Sequence, residues 1–143
     1  PVLNGTTQYV STGWTGTGDV PATGAATDTG PITITQDSSV TWTWKTQYWL
    51  DTTAGANGSV DTGDGWFDDG TGVVITAIPD VGYHFVNWTG DVGRTADGNS
   101  ATTNITRDGR YTIVANFAID RYDLTITRTA GGSVTRTEEG VLT

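Results

Sequence analysis

Laid over itself, the chain matches at a displacement of 74 residues. Tyr9 falls on Tyr83, Trp14-Thr15-Gly16 on Trp88-Thr89-Gly90, Tyr48 on Tyr122, Leu50 on Leu124, and Gly58-Ser59-Val60 on Gly132-Ser133-Val134. Between these blocks the register slips by three: Ile34-Thr35 match Ile105-Thr106, Asp37 matches Asp108, and Thr41 matches Thr112. A slip that later cancels is what homologous units with variable turns produce, whereas chance matches do not return to one offset. Two periods would occupy 148 residues, and 143 are present. The chain therefore reads as the C-terminal half of one unit over residues 1–46, a complete unit over 47–118, and the N-terminal half of a following unit over 119–143. Units this small cannot build a deep core alone, so they must bury apolar surface against neighbours.

The residues of each unit favour strands. Thirty of the 143 residues are Thr, and Thr, Val, Trp and Tyr suit a pleated, half-buried surface. The 20 Gly, with Asn and Asp, mark turns. No window carries the 3.6-residue apolar spacing of a helix. In the complete unit the spacing predicts strands at Tyr48–Thr53, Ser59–Thr62, Val73–Ile78, Tyr83–Trp88, Thr102–Thr106 and Tyr111–Phe117. The acidic stretch Gly63–Gly70 reads as a loop, and Arg107-Asp108-Gly109 as a tight hairpin turn. Along the last strand Tyr111, Ile113, Ala115 and Phe117 share a face, matched earlier by Val40, Trp42 and Trp44. The expected fold is all-β and helix-poor: tandem small β-sandwich-like modules of about 74 residues.

Seven basic side chains against 16 acidic leave a net charge of −9, which argues against nucleic acid or an anionic membrane as partner. No apolar run approaches the ~18 residues of a bilayer span, so no membrane insertion is expected. The chain starts at Pro1 without a signal peptide, which reads as a processed or excised piece. Zero cysteines exclude disulfides and thiolate metal sites. A Thr-, Gly- and Asp-rich chain poor in Lys and Glu points to an extracellular or cell-surface location.

Several residue sets invite chemistry. Asp61, Asp64, Asp68 and Asp69 offer carboxylates to Ca²⁺, a hard cation that wants six to eight oxygens. Their spacing departs from the EF-hand loop, and a solvated hairpin loop, kept soluble by charge, is the simpler reading. Asp91, Asp97 and Asn99 form a second such set. Of six tryptophans, Trp14 and Trp88 occupy equivalent repeat positions and belong in the core. Trp42 and Trp44 share a strand face and should pack against an opposing sheet or the next repeat. Trp49 and Trp66 remain as exposed platforms for a sugar ring. The lone His84 lies between Tyr83 and Phe85, no cysteine nucleophile or G-x-S-x-G is present, and adjacent Asp68 and Asp69 diverge on a strand. Nothing here builds an enzyme. Lys45 is the only lysine; an internal amide crosslink would need it buried beside an acid, and an aggregation-blocking edge lysine is the simpler role. N-x-[ST] sequons stand at Asn4, Asn57, Asn87 and Asn104.

Taken together, Gly72–Asp91, the closing Tyr111–Phe117 and the Gly131-Gly132-Ser133-Val134 turn resemble the divergent internalin B-type repeat in order and spacing. Gly13-Trp14-Thr15-Gly16 is a looser match. The resemblance implies a secreted or cell-surface location, tandem arrays and no catalysis; apart from Ca²⁺, no cofactor is expected. Better-known members are similar to a β-grasp with a helix, so this helix-poor chain is expected to be a β-grasp-like variant. The recurring positions Tyr9, Trp14, Tyr48, Gly58, Tyr83, Trp88, Phe117, Tyr122 and Gly132 are expected to be structural. The function expected is a stalk, adhesin spacer or filament subunit whose partners are neighbouring repeats or copies of itself. In the filament version, the two half-units complete each other head to tail between molecules. The alternative is a carbohydrate-binding surface module using Trp49, Trp66 and the acidic loops.

Overall fold

A computed structural model describes residues 1–25, 27–127 and 130–132; Ser133, Val134, Glu138 and Glu139, with most of the 119–143 half-unit, lie outside them. Its longest element is a strand from Ser39 to Ala54. Sixteen residues without Gly or Pro, alternating Thr with aromatic and aliphatic side chains, have nothing to interrupt an extended backbone. In chain order the strands are β1 (Val2–Asn4), β2 (Thr7–Thr17), β3 (Thr23–Gly24), β4 (Ser39–Ala54), β5 (Gly58–Val60), β6 (Gly65–Asp68), β7 (Gly72–Pro79), β8 (Tyr83–Gly90), β9 (Thr102–Thr106) and β10 (Tyr111–Ile119). The only helical turn among the described residues is the 3-10 turn Val92–Arg94. The all-β expectation holds.

Seven strands form one sheet in the path β1-β2-β4-β10-β8, with β3 on β2 and β6 on β4. Tyr48 pairs with both Thr7 and Phe67, and Leu50 with both Tyr111 and Gly65. Since a strand residue has two edges, β2 and β10 share one edge of β4, end to end, and β6 takes the other. Beyond Thr46, toward Ser39, no strand among the described residues pairs with the β6 edge. A second sheet, β5-β7-β9, faces the second half of β4 together with β10 and β8.

The β2–β4 and β8–β10 ladders correspond position for position. Tyr9 faces Thr46 and Trp14 faces Trp42; 74 residues later, Tyr83 faces Ile119 and Trp88 faces Ala115. Both ladders shift register at the same place, around Thr12 and Val86. Thus Val40 corresponds to Ile113, Trp42 to Ala115 and Trp44 to Phe117, a displacement of 73 in place of the 71 read from the sequence. Strand side chains alternate with period two, so sliding by two keeps every face and hides the error from sequence comparison.

Between the sheets, Leu50, Ile75, Ile105, Ile113 and Ala115 are fully buried, joined by Val73, Ala77 and Trp88. Phe117 lies over Gly58, where any Cβ would strike its ring. Trp14 is buried as expected, against Gly24 and edge-on to Trp42 at 6.3 Å. Two expectations need correcting. Gly63–Gly70 is not all loop: β6 adds Gly65–Asp68 to β4, so Trp66 and Phe67 join the sheet. Trp44 does not pack on an opposing sheet; it is 52% exposed, because no second layer covers the first half of β4. Ile75→Ala should lower stability by about 2–5 kcal/mol, read as a shifted urea midpoint, because a fully buried side chain leaves a cavity between two sheets.

Candidate functional site

Four strands converge where β4 passes Tyr48, Trp49 and Leu50. Trp49 packs edge-to-face on Trp66, 5.5 Å between ring centres, across the β4–β6 pair. Gly5, Thr6 and Arg110 complete a shallow groove around them. Both indoles are half-buried and line this groove, less exposed than their sequence suggests.

Beneath this junction lies Arg107, with no exposed surface. The alternation Thr103, Ile105, Arg107 continues the inward face of β9, and all three are buried. Its Nη2 donates to the Trp49 carbonyl at 2.6 Å and to the Gly109 carbonyl at 3.0 Å. The guanidinium sits 5.0 Å over the Tyr111 ring, a cation–π contact. Nε and Nη1 meet no acceptor among the described residues, and burial holds the guanidinium below the usual arginine value. Tyr111 donates to Asp108, which pairs with Arg94 at 2.7 Å. That carboxylate hydrogen bond, followed by burial, raises the Tyr111 phenol above its ordinary value. Arg107 thus ties β4 to the turn that starts β10. No sequence motif marked it; only the period-two pattern pointed inward.

Three of the four carboxylates proposed for Ca²⁺ are spent on separate backbone and side-chain contacts. Asp61 accepts the Thr76 N–H at 2.7 Å and the Thr62 hydroxyl at 3.0 Å. Asp64 accepts the Thr52 N–H at 2.7 Å. Asp68 accepts Lys45 Nζ at 2.9 Å and Gln47 Nε2 at 2.6 Å. Asp69 points to solvent while its N–H donates to Thr46. Among the described residues no three His, Cys, Asp or Glu side chains group as metal ligands. In the second set, Asp91 accepts the Thr112 N–H at 2.9 Å and Asp97 that of Asn99 at 2.8 Å. These acids pin loops to strands.

Other candidates are spread over the surface. His84 meets Asp120 at 2.9 Å on an exposed edge. Lys45 shares Asp68 in a pair that is about 40% exposed on each side, not buried as an amide crosslink requires. Asn4, Asn57 and Asn104 are exposed, while Asn87 accepts the Asn116 side chain at 3.0 Å. Tyr48 and Tyr83 are half-buried in the sheet; Tyr9, Tyr122 and Gly132 lie at the surface.

A family model, that of the divergent InlB B-repeat domain, matches residues 48–121. The chain belongs to that family. Comparison with curated proteins, and with solved structures, returned no match. The InlB B-repeat segment opens in the middle of β4 and closes just after β10, and it holds the eight buried residues of the cluster between the two sheets. InlB-type repeats occur in surface proteins; among the described residues, no helix is long and apolar enough to cross a membrane.

The acids predict a pH response. Burial pushes the Asp61 carboxyl up, but the Thr76 and Thr62 donors outweigh it and hold the group below 3.8. Its folded value being the lower, its contribution is full above about pH 4 and is lost as pH falls through the folded value. The urea midpoint should therefore drop between pH 6 and pH 3. Asp61→Asn should lower the midpoint at pH 6 and shrink that drop.

Proposed function

We propose that the chain is a non-enzymatic, load-bearing structural module of an extracellular or cell-surface protein: a stalk, adhesin spacer or filament subunit built from tandem units. The observation carrying this reading is the parallel pairing of the first and last strands of the InlB B-repeat segment. Leu50 to Ala54 in β4 lie beside Tyr111 to Ala115 in β10, in the same direction. A chain pulled through Tyr48 and Asp120 drags these strands past each other. Every hydrogen bond of the ladder is then loaded at once, where an antiparallel hairpin would unzip bond by bond. Arg107, holding the Trp49 carbonyl and stacked on Tyr111, bridges the same two strands at the loaded end.

The surface fits the same role. A net charge of −9 keeps neighbouring copies soluble. Internal hydrogen bonds to Asp61, Asp64 and Asp68 serve the loops' own geometry. The edge-to-face contact of Trp49 on Trp66 supports a packing role for the pair over a sugar platform.

Pulling direction tests the reading. Single molecules tethered through Gln47→Cys and Asp120→Cys load the ladder in shear; tethers at Ala56→Cys and Asp120→Cys peel it from one end. A load-bearing module should unfold at a several-fold higher force in the first geometry. Equal forces would sink the proposal. Adding Arg107→Met should lower the shear force and leave the peeling force nearly unchanged.

A further inference from the structure

The first half of β4 has the features of a closing strand that lacks its partner. Its counterpart, β10, is flanked on one edge by β8 and on the other by the parallel second half of β4. The first half of β4 has β2 on the corresponding edge, and its other edge, over Ser39–Thr43, is unpaired among the described residues. Side chains show the same incompleteness. Ile113 is fully buried, but its counterpart Val40 is 42% exposed. Phe117 covers Gly58, but its counterpart Trp44 borders an open groove with Val2, Tyr9 and Thr46.

The complementary piece is present further along. Displaced by 74, Tyr48 and Leu50 of the opening strand become Tyr122 and Leu124. Leu50 is fully buried, whereas Tyr122, Leu124 and Ile126 are 87%, 76% and 46% exposed, outside any strand. An edge without a strand and an apolar strand sequence without an edge thus occur in one chain.

Resting on the repeat-module reading above, we propose that Tyr122–Thr127 of a second copy of this chain adds to the free edge of β4 as a parallel strand. The β4–β10 ladder supplies the register. Thr52 beside Ile113 translates to Ile126 beside Val40, and Thr53 beside Val114 to Thr127 beside Thr41. Leu124 then faces inward as Leu50 does. Gly132, the counterpart of Gly58, comes to lie on Trp44 as Gly58 lies under Phe117. Donor and acceptor are different surfaces, so the contact is heterologous and repeats without closing.

The chain has no cysteine, so single-cysteine variants report one contact each. Val40→Cys chains mixed with Ile126→Cys chains should form a disulfide-linked heterodimer on oxidation. Adjacent strands lie ~4.8 Å apart, inside the ~4.4–6.8 Å Cα range of a disulfide. Thr41→Cys mixed with Ile126→Cys puts the thiols on opposite faces and should crosslink roughly tenfold less. Light scattering of the unaltered chain should show mass rising with concentration. Gly132→Leu, which sets a side chain against the Trp44 ring, should abolish the rise without changing the circular dichroism of the fold. Constant monomer mass, or equal crosslinking in the two mixtures, overturns the proposal. Neither result touches the ladder within one chain. A monomer that still resists shear leaves the load-bearing reading intact, and crosslinking without directional strength does the reverse.

Discussion

The pairing of β4 with three other strands around Tyr48–Leu50 is the constraint on which the rest of the molecule depends. Two strands of opposite direction, β2 and β10, meet end to end on one edge, and β6 takes the other. A parallel partner cannot arrive by a hairpin; the chain must travel from Ala54 through β5, β6, β7, β8 and β9 before β10 returns. That excursion forms the second sheet, and the core exists because it folds back over Leu50, Ile113 and Ala115. Arg107 sits where the return is completed. An unpaired buried charge is costly, and this one is offset by two carbonyls and an aromatic face at the closing turn.

Much of this was legible in the residues, and the misses share physical causes. Val73–Ile78 announced itself as the most apolar run in the chain and Tyr111–Phe117 by period-two alternation, and both came within two residues of β7 and β10. Trp14 and Trp88 were placed in the core because large aromatic side chains at equivalent positions have one common explanation, and both are buried. β6 was hidden because its four residues are surrounded by Gly and Asp, whose turn propensity outweighs Trp66 and Phe67 in any local reading. Pairing with β4 overrides that preference, and no local window contains β4.

The functional candidates were less legible for a related reason. Which tryptophan is exposed depends on long-range facts: Trp44 has no second layer above it, while Trp49 is half-buried by its cross-strand neighbour Trp66 in the same sheet. The acids Asp61, Asp64 and Asp68 looked like a cation loop because clustering in sequence resembles clustering in space. In the fold they separate: Asp61 reaches Thr76 of β7, while Asp64 and Asp68 reach β4 at Thr52 and Gln47. Arg107 was missed because a charged side chain is read as surface unless its position in the alternation is weighed above its chemistry. The divergent InlB B-repeat family was visible because it rests on the order of short motifs, which survives errors in any one strand.

One consequence of the uninterrupted β4 concerns shape under bending. Modules joined by Gly- or Ser-rich linkers swivel freely, since nothing but chain entropy resists. Here Lys45, Thr46 and Gln47 connect the two parts as strand residues, hydrogen-bonded to β2 and bordered by β6. Bending at that point means breaking ladder bonds on both edges, so the two parts behave as a single beam. An array joined this way would have a persistence length set by sheet elasticity, and would hold its far end away from a surface as a rod does, without needing tension to keep it extended.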